Sequence, residues 1–130
     1  MYLCDTNVIS ELVRPRPNTG VLEWAGTVSS IVVSAVVLEE IYYGLSWKPN
    51  PRVSAWFEEF LTAGCQILPV TPGIARRCGE MRGQFMARGV VRSQADMLIA
   101  ATAQVHQLTI VTRNVRDFEG CTVPLLNPFS

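Results

Sequence analysis

The chain predicts an α/β fold, a three-layer α/β/α sandwich around a central parallel sheet, and three observations lead there. Short apolar runs rich in Val and Ile alternate with stretches whose apolar residues recur at helical spacing. Several helical stretches open on a recognisable cap, such as Ser34, Thr71-Pro72 and Ser93. The 130 residues are 48% hydrophobic and 17% charged, which gives one compact domain spanning residues 1–130 with a sizeable core. Strand–helix alternation of this kind folds as a parallel sheet covered on both faces, and such sheets bind ligands at the carboxyl ends of their strands.

Taken in order, Tyr2 to Cys4 reads as a strand and Thr6 to Val13 as a helix stopped by Arg14-Pro-Arg-Pro17. A short helix near Val21 to Ala25 leads to a strand at Ile31 to Val33, and the helix from Ala35 to about Gly44 follows the Ser34 cap. Asn50-Pro51 opens a helix in which Val53, Trp56, Phe57, Phe60 and Leu61 form one stripe, ending at Gly64. Gln66 to Val70 is the third strand. After it, Ile74, Cys78, Met81 and Phe85 mark a helix that ends near Gly89. Ser93 opens a small-residue helix to about Gln104; Leu108 to Thr112 and Thr122 to Leu126 read as the last two strands.

Eleven basic and eleven acidic residues cancel, so no global field draws the chain to nucleic acid and any such binding must use a local patch. The four cysteines show no C-x-x-C pairing, and the one histidine, His106, cannot complete a usual zinc set; the thiols read as reduced core residues. With no basic leader and no apolar stretch long enough to span a bilayer, the expected location is the cytoplasm, with no membrane partner.

The chemistry resides in the carboxylates. The chain has only three aspartates, Asp5, Asp96 and Asp117, each where an apolar strand ends or a helix begins. Each also has a plain structural reading: Asp5 as a helix N-cap, Asp96 as the acid of a capping box with Ser93, Asp117 as an Asx-turn or short-helix cap. Glu40 lies on the flank of the stripe formed by Val37, Leu38, Ile41 and Leu45, whereas Glu39 lies nearer the solvent face. What separates the two readings is convergence. Carboxylates crowded at one sheet edge raise one another's proton affinity unless a cation neutralises them. Hard oxygen donors suit Mg²⁺ or Mn²⁺, and phosphodiester hydrolysis is the natural chemistry of such a site.

Four segments, in this order, resemble the PIN-domain nucleases and within them the VapC-like toxins, including the FitB-type branch, of bacterial toxin–antitoxin pairs. They are Leu3-Cys-Asp5-Thr-Asn-Val-Ile-Ser10, Leu38-Glu-Glu40-Ile-Tyr-Tyr-Gly44, Ala95-Asp96-Met-Leu-Ile-Ala-Ala-Thr-Ala103 and Thr109-Ile-Val-Thr-Arg-Asn114-Val-Arg-Asp117-Phe118. The resemblance implies Asp5 and Asp96 as principal metal ligands, with Glu40 and Asp117 completing the acidic pocket. Thr6, Asn7, Thr112 and Asn114 would be supporting polar residues. It implies a Mg²⁺- or Mn²⁺-dependent endoribonuclease, dimeric or in a hetero-oligomer, inhibited by a cognate antitoxin whose DNA-binding domain supplies any contact with operator DNA. Some relatives carry an acid where this chain has Asn114, which leaves Asp117 as the fourth carboxylate.

Arg76, Arg77, Arg82, Arg88 and Arg92 share a stretch whose only acid is Glu80, and they read either as an RNA phosphate rim or as a solvated helix face. Arg14 and Arg16 form a weaker candidate of the same kind. Trp56, Phe57 and Phe60 read as core or interface rather than base-stacking residues, and with Tyr42, Tyr43 and Trp47 they suit an antitoxin or dimer contact. A competing reading is a regulatory binding module whose acidic pocket docks the basic tail of a DNA-binding partner without catalysis. A third is a DNA-directed nuclease.

Overall fold

The computed structural model describes residues 1–130. Five strands, β1 (Tyr2–Cys4), β2 (Val32–Ser34), β3 (Gln66–Leu68), β4 (Thr109–Val111) and β5 (Leu125–Leu126), form one parallel sheet in the order β3-β2-β1-β4-β5. Six helices flank it: α1 (Thr6–Leu12), α2 (Thr19–Gly26), α3 (Ala35–Trp47), α4 (Pro51–Thr62), α5 (Pro72–Ala87) and α6 (Gln94–His106). The result is the expected α/β/α sandwich. No helix is long and apolar enough to cross a membrane.

The strand order decides where a ligand would sit. From β1 the chain winds outward through β2 and β3, then returns to the other side of β1 with β4 and β5. The connections after β1 and after β4 therefore diverge, opening a crevice at the carboxyl ends of these two neighbours. Register sharpens this: Cys4 pairs with Val111, so the next residues, Asp5 and Thr112, face each other across the crevice.

Local chemistry accounts for the helix starts. The side chains of Ser34, Asn50, Thr71 and Ser93 each accept a bond from a first-turn amide, and Pro51 and Pro72 occupy first-turn positions where no donor is needed. The stripe Ile74, Cys78, Met81 and Phe85 is buried as the spacing predicts. Helix α6 owes its depth to small residues: Ala100, Ala101 and Ala103 are buried, and the Thr102 hydroxyl, equally buried, donates to the Leu98 carbonyl at 2.7 Å.

Several boundaries differ from those read in the sequence. Helix α3 runs on to Trp47, because Gly44 alone does not terminate a helix without a left-handed turn, and α6 ends only where Gln107 adopts a left-handed backbone (φ 55°). Strand β3 stops at Leu68, with Pro69 and Val70 exposed beyond it. The last strand shrinks to Leu125–Leu126, since Thr122 stands at φ 59° and Pro124 cannot donate to a ladder. The segment after β4 contains a 3₁₀ turn, Val115–Phe118, whose single apolar anchor, Phe118, is fully buried.

Candidate active site

Asp5 leaves the central strand at the mouth of the crevice. Its amide donates to the Val111 carbonyl at 2.9 Å, prolonging the ladder by one residue and fixing where its side chain starts. One carboxylate oxygen accepts from the Thr6 amide at 2.8 Å, so the N-cap reading is correct as far as it goes. The other oxygen turns across the sheet and accepts from the Thr112 hydroxyl at 2.8 Å and the Asn7 amide at 3.3 Å. Thr112 follows the last residue of β4, so this oxygen is held from a second strand end in addition to the helix cap.

Asn7 and Thr112 knit the two loops together. The Asn7 side-chain amide donates to the Thr112 hydroxyl oxygen at 3.3 Å, while its carbonyl oxygen accepts from the Arg113 amide at 3.1 Å. The Asn114 amide in turn donates to the Thr112 hydroxyl oxygen at 3.0 Å. Asn114 contributes through its backbone, its carbonyl also accepting from the Asp117 amide at 3.0 Å, and its side chain caps nothing in the 3₁₀ turn it precedes.

Glu40 approaches from α3, where its Oε1 accepts from the Thr6 hydroxyl at 2.8 Å. Glu39 is exposed and Glu40 half-buried, which settles which of the neighbours faces this network. The Thr6 contact is what holds Glu40 there. Asp96 lies in the first turn of α6. That helix delivers the chain back to the start of β4, so its N-terminus stands at the carboxyl edge, where the helix dipole favours an acid. The Ser93 hydroxyl accepts from the Asp96 amide at 3.1 Å. Asp117, in the 3₁₀ turn, is exposed.

Electrostatics join these four acids. Burial raises the Asp5 carboxyl above its usual range, the bonds from Thr112, Thr6 and Asn7 oppose that rise, and the charge of Asp117 adds to it. Burial likewise raises Asp96; Ser93 opposes the shift, and the charges of Asp5, Asp117 and Glu40, in that order, add to it. None of the four is ion-paired, since the salt bridges in the molecule join Glu11 to Arg14 and Glu80 to Arg76 and Arg77. Crowded carboxylates without a cation form a donor set suited to a hard divalent ion. No three of them close on one point as a ready-made cage. Mg²⁺ keeps several waters and takes only one or two protein carboxylates, so its binding does not require such a cage.

The five arginines expected at a rim divide. The Arg92 guanidinium donates to the carbonyls of Arg116, Asp117 and Glu119 and lies 4.4 Å from the centre of the Phe85 ring, so it shapes the 3₁₀ turn from behind. Arg77 donates to Gln104 at 2.6 Å. Arg76 pairs with Glu80 at 3.5 Å, Arg88 stacks on Phe85, and Arg82 is exposed. Arg14 pairs with Glu11. Sequence reasoning missed Glu11 itself, which is buried and accepts from the Asn18 amide at 2.8 Å, binding the Arg14–Pro17 loop to α1. Nothing in the spacing distinguishes it from a solvated helix glutamate.

The PIN domain family model matches residues 2–120. The chain is 32% identical to VapC ribonuclease Y4jK of Sinorhizobium fredii over 99% of its own length and 98% of the relative's. It is equally close, at 32% and 99% of both chains, to Toxin FitB of Neisseria gonorrhoeae, and the crystal structure of FitAcB from that organism superposes with a TM-score of 0.85 at 34% identity over 98% of each chain. The structure of VapBC2 from Rickettsia felis bound to a DNA fragment from its promoter gives 0.82 at 26% identity over 97% of each.

Proposed function

This chain belongs to the PIN-domain family, and from that premise we propose that it is a metal-dependent endoribonuclease serving as the toxin of a toxin–antitoxin pair. The observation that carries the proposal is that acids from four separate parts of the chain act on one another through their charges at the β1/β4 crevice, with no cation paired to any of them. The ribonuclease and toxin names of the relatives and the promoter DNA bound by VapBC2 support the biological setting.

In this reading Asp5 and Asp96 are the principal ligands of Mg²⁺ or Mn²⁺, and Glu40 and Asp117 complete the acidic rim. Bound there, the ion supplies a water of lowered proton affinity and offsets charge on the phosphoryl oxygens. The chain's own part is to hold oxygens still. Thr112 and the Thr6 amide fix both oxygens of Asp5, the Thr6 hydroxyl fixes Glu40, and Asn7 clamps the β1 loop to the β4 loop. Each donor is set by the backbone at the mouth of the sheet, so little reorganisation accompanies the arrival of substrate.

A cognate antitoxin with a DNA-binding domain is the proposed inhibitor and the route to operator DNA. Its docking surface, or that of a second toxin subunit, is proposed to include Tyr43 and Trp47, which are 67% and 70% exposed on α3. The deciding experiment incubates total cellular RNA with antitoxin-free protein and Mg²⁺ or Mn²⁺, beside an EDTA arm and an Asp96→Asn arm. Discrete products that vanish in both control arms are expected. A folded wild-type protein that leaves RNA intact would overturn the nuclease reading in favour of a binding module, and preferential cutting of matched single-stranded DNA would replace the substrate.

A further inference from the structure

Beyond the acids, the segment that follows β4 carries two arginines, Arg113 and Arg116, that no part of the mechanism above employs. Neither pairs with a carboxylate, although Asp117 lies in the same loop. With Asn114, Val115 and Asp117 they line a depression of about 310 Å³ at the edge of the crevice. Resting on the nuclease reading, we propose that this depression is a phosphate subsite for RNA, with Arg113 as the residue that grips a phosphodiester flanking the one that is cut.

Arg113 is held for such a task at both ends. Its amide donates to Asn7 Oδ1 at 3.1 Å, and the same Asn7 side chain donates to Asp5 at 3.3 Å, so the backbone position is tied to the acidic centre. Its guanidinium lies 4.9 Å from the centre of the Phe129 ring, which supports the planar group on one face and leaves its donors available. The supporting ring is itself anchored: Ser130 donates through its amide to Asn18 Oδ1 at 3.0 Å, and the Asn18 side chain donates back to the Ser130 carbonyl at 3.2 Å. The Asn114 side-chain amide, free of any protein partner, faces the same loop surface as a neutral donor. Arg92 differs, since its guanidinium is occupied by three carbonyls and serves the loop's shape.

A cation beside an acid cluster, stacked on a ring and unpaired, makes binding of a polyanion possible where four carboxylates alone would repel it. The subsite thereby explains how a chain of zero formal net charge can hold RNA locally.

The test is fluorescence anisotropy of a short labelled single-stranded RNA against full-length Asp96→Asn protein in Mg²⁺, over a series of salt concentrations, with Arg113→Ala, Arg113→Lys and Arg76→Ala each added to that background. Arg113→Ala is expected to weaken binding several-fold and to lower the slope of log affinity against log salt by about 0.7, one single-strand phosphate contact. Arg113→Lys should keep the slope, and Arg76→Ala should change neither quantity. Melting curves check that each variant is folded. An unchanged slope in Arg113→Ala, while the parent binds, would overturn the subsite and leave the nuclease reading intact. An equal loss in Arg76→Ala would likewise overturn it, by showing a diffuse charge effect. Absence of RNA binding by the parent together with absence of cleavage by wild type would remove both.

Discussion

Asp5 and Asp96 share one sheet edge and are held in opposite ways. Asp5 stands at the end of the central strand, buried, and receives donors from Thr6, Thr112 and Asn7. Asp96 stands on the first turn of α6, half-buried, with Ser93 as its one side-chain helper against the surrounding charge. The strand-borne oxygens are placed by the whole fold, whereas the helix-borne ones are placed by one helix. Removing charge from the first must disturb the network that served it; removing charge from the second relieves repulsion and disturbs little.

The largest test of this contrast is activity against stability. Asp5→Asn and Asp96→Asn should each lower RNA cleavage by at least about 100-fold. Their melting temperatures should part: Asp96→Asn equals or exceeds wild type, while Asp5→Asn falls below Asp96→Asn because its new amide hydrogens oppose the Thr112 and Asn7 donors, by about 1–2 kcal/mol. Equal melting behaviour would erase the distinction.

Metal and pH should sharpen it. Both carboxyls are raised above their ordinary value of 3.8 in the fold, so the stability they contribute is fully present below that pH and is lost as pH rises through their folded-state values. The EDTA-treated protein should therefore lose stability from this pair on passing from acid toward neutral pH, and less so as Asp96→Asn. At neutral pH Mg²⁺ should restore it, by about 2.7 kcal/mol at a hundred times its dissociation constant. A metal-induced rise in melting temperature that survives in Asp5→Asn would place the ion elsewhere.

Asn7→Ala probes the strand side without touching a charge. It deletes bonds to Asp5, Thr112 and the Arg113 amide and should cost about 1–2 kcal/mol in thermal stability together with a partial loss of cleavage. Full activity would mean that the clamp is dispensable. The smallest effect is remote. A Cβ at Gly20 would stand 2.4 Å from the Pro128 carbonyl oxygen and 2.8 Å from the Ser130 amide, so Gly20→Ala should loosen the last residues at a cost of about 1 kcal/mol, read as faster amide exchange at Phe129 and Ser130. Unchanged exchange there would show that the tail moves aside without cost.

How much of this could be read beforehand follows the range of the physics. Caps and helical stripes are local, so Ser34, Pro51, Thr71 and Ser93 announced their helices and the acids announced their edge. That Glu40 is the half-buried neighbour and Glu39 the exposed one was legible from the helix face, though the Thr6 hydroxyl that holds Glu40 comes from another element. What stayed hidden depends on contacts between distant residues. Glu11 is buried only because the Asn18 amide returns to it, Arg92 is occupied by carbonyls of a turn that has no periodicity, and the Phe129 ring reaches Arg113 only when the tail is folded. Strand ends were overestimated where β-favouring residues such as Val70 run past the last ladder bond.

The same burial that shelters the acids also shelters sulfur. Cys4 adjoins Asp5 on the central strand with no exposed surface, and burial pushes its thiol well above the usual range, as burial also raises Cys78 and Cys121. Such thiols ignore alkylating reagents until the structure around them opens. Cys4 is therefore a built-in clock: its labelling rate, followed by mass spectrometry with and without divalent ion, counts how often the centre of the sheet comes apart, one residue away from the proposed chemistry.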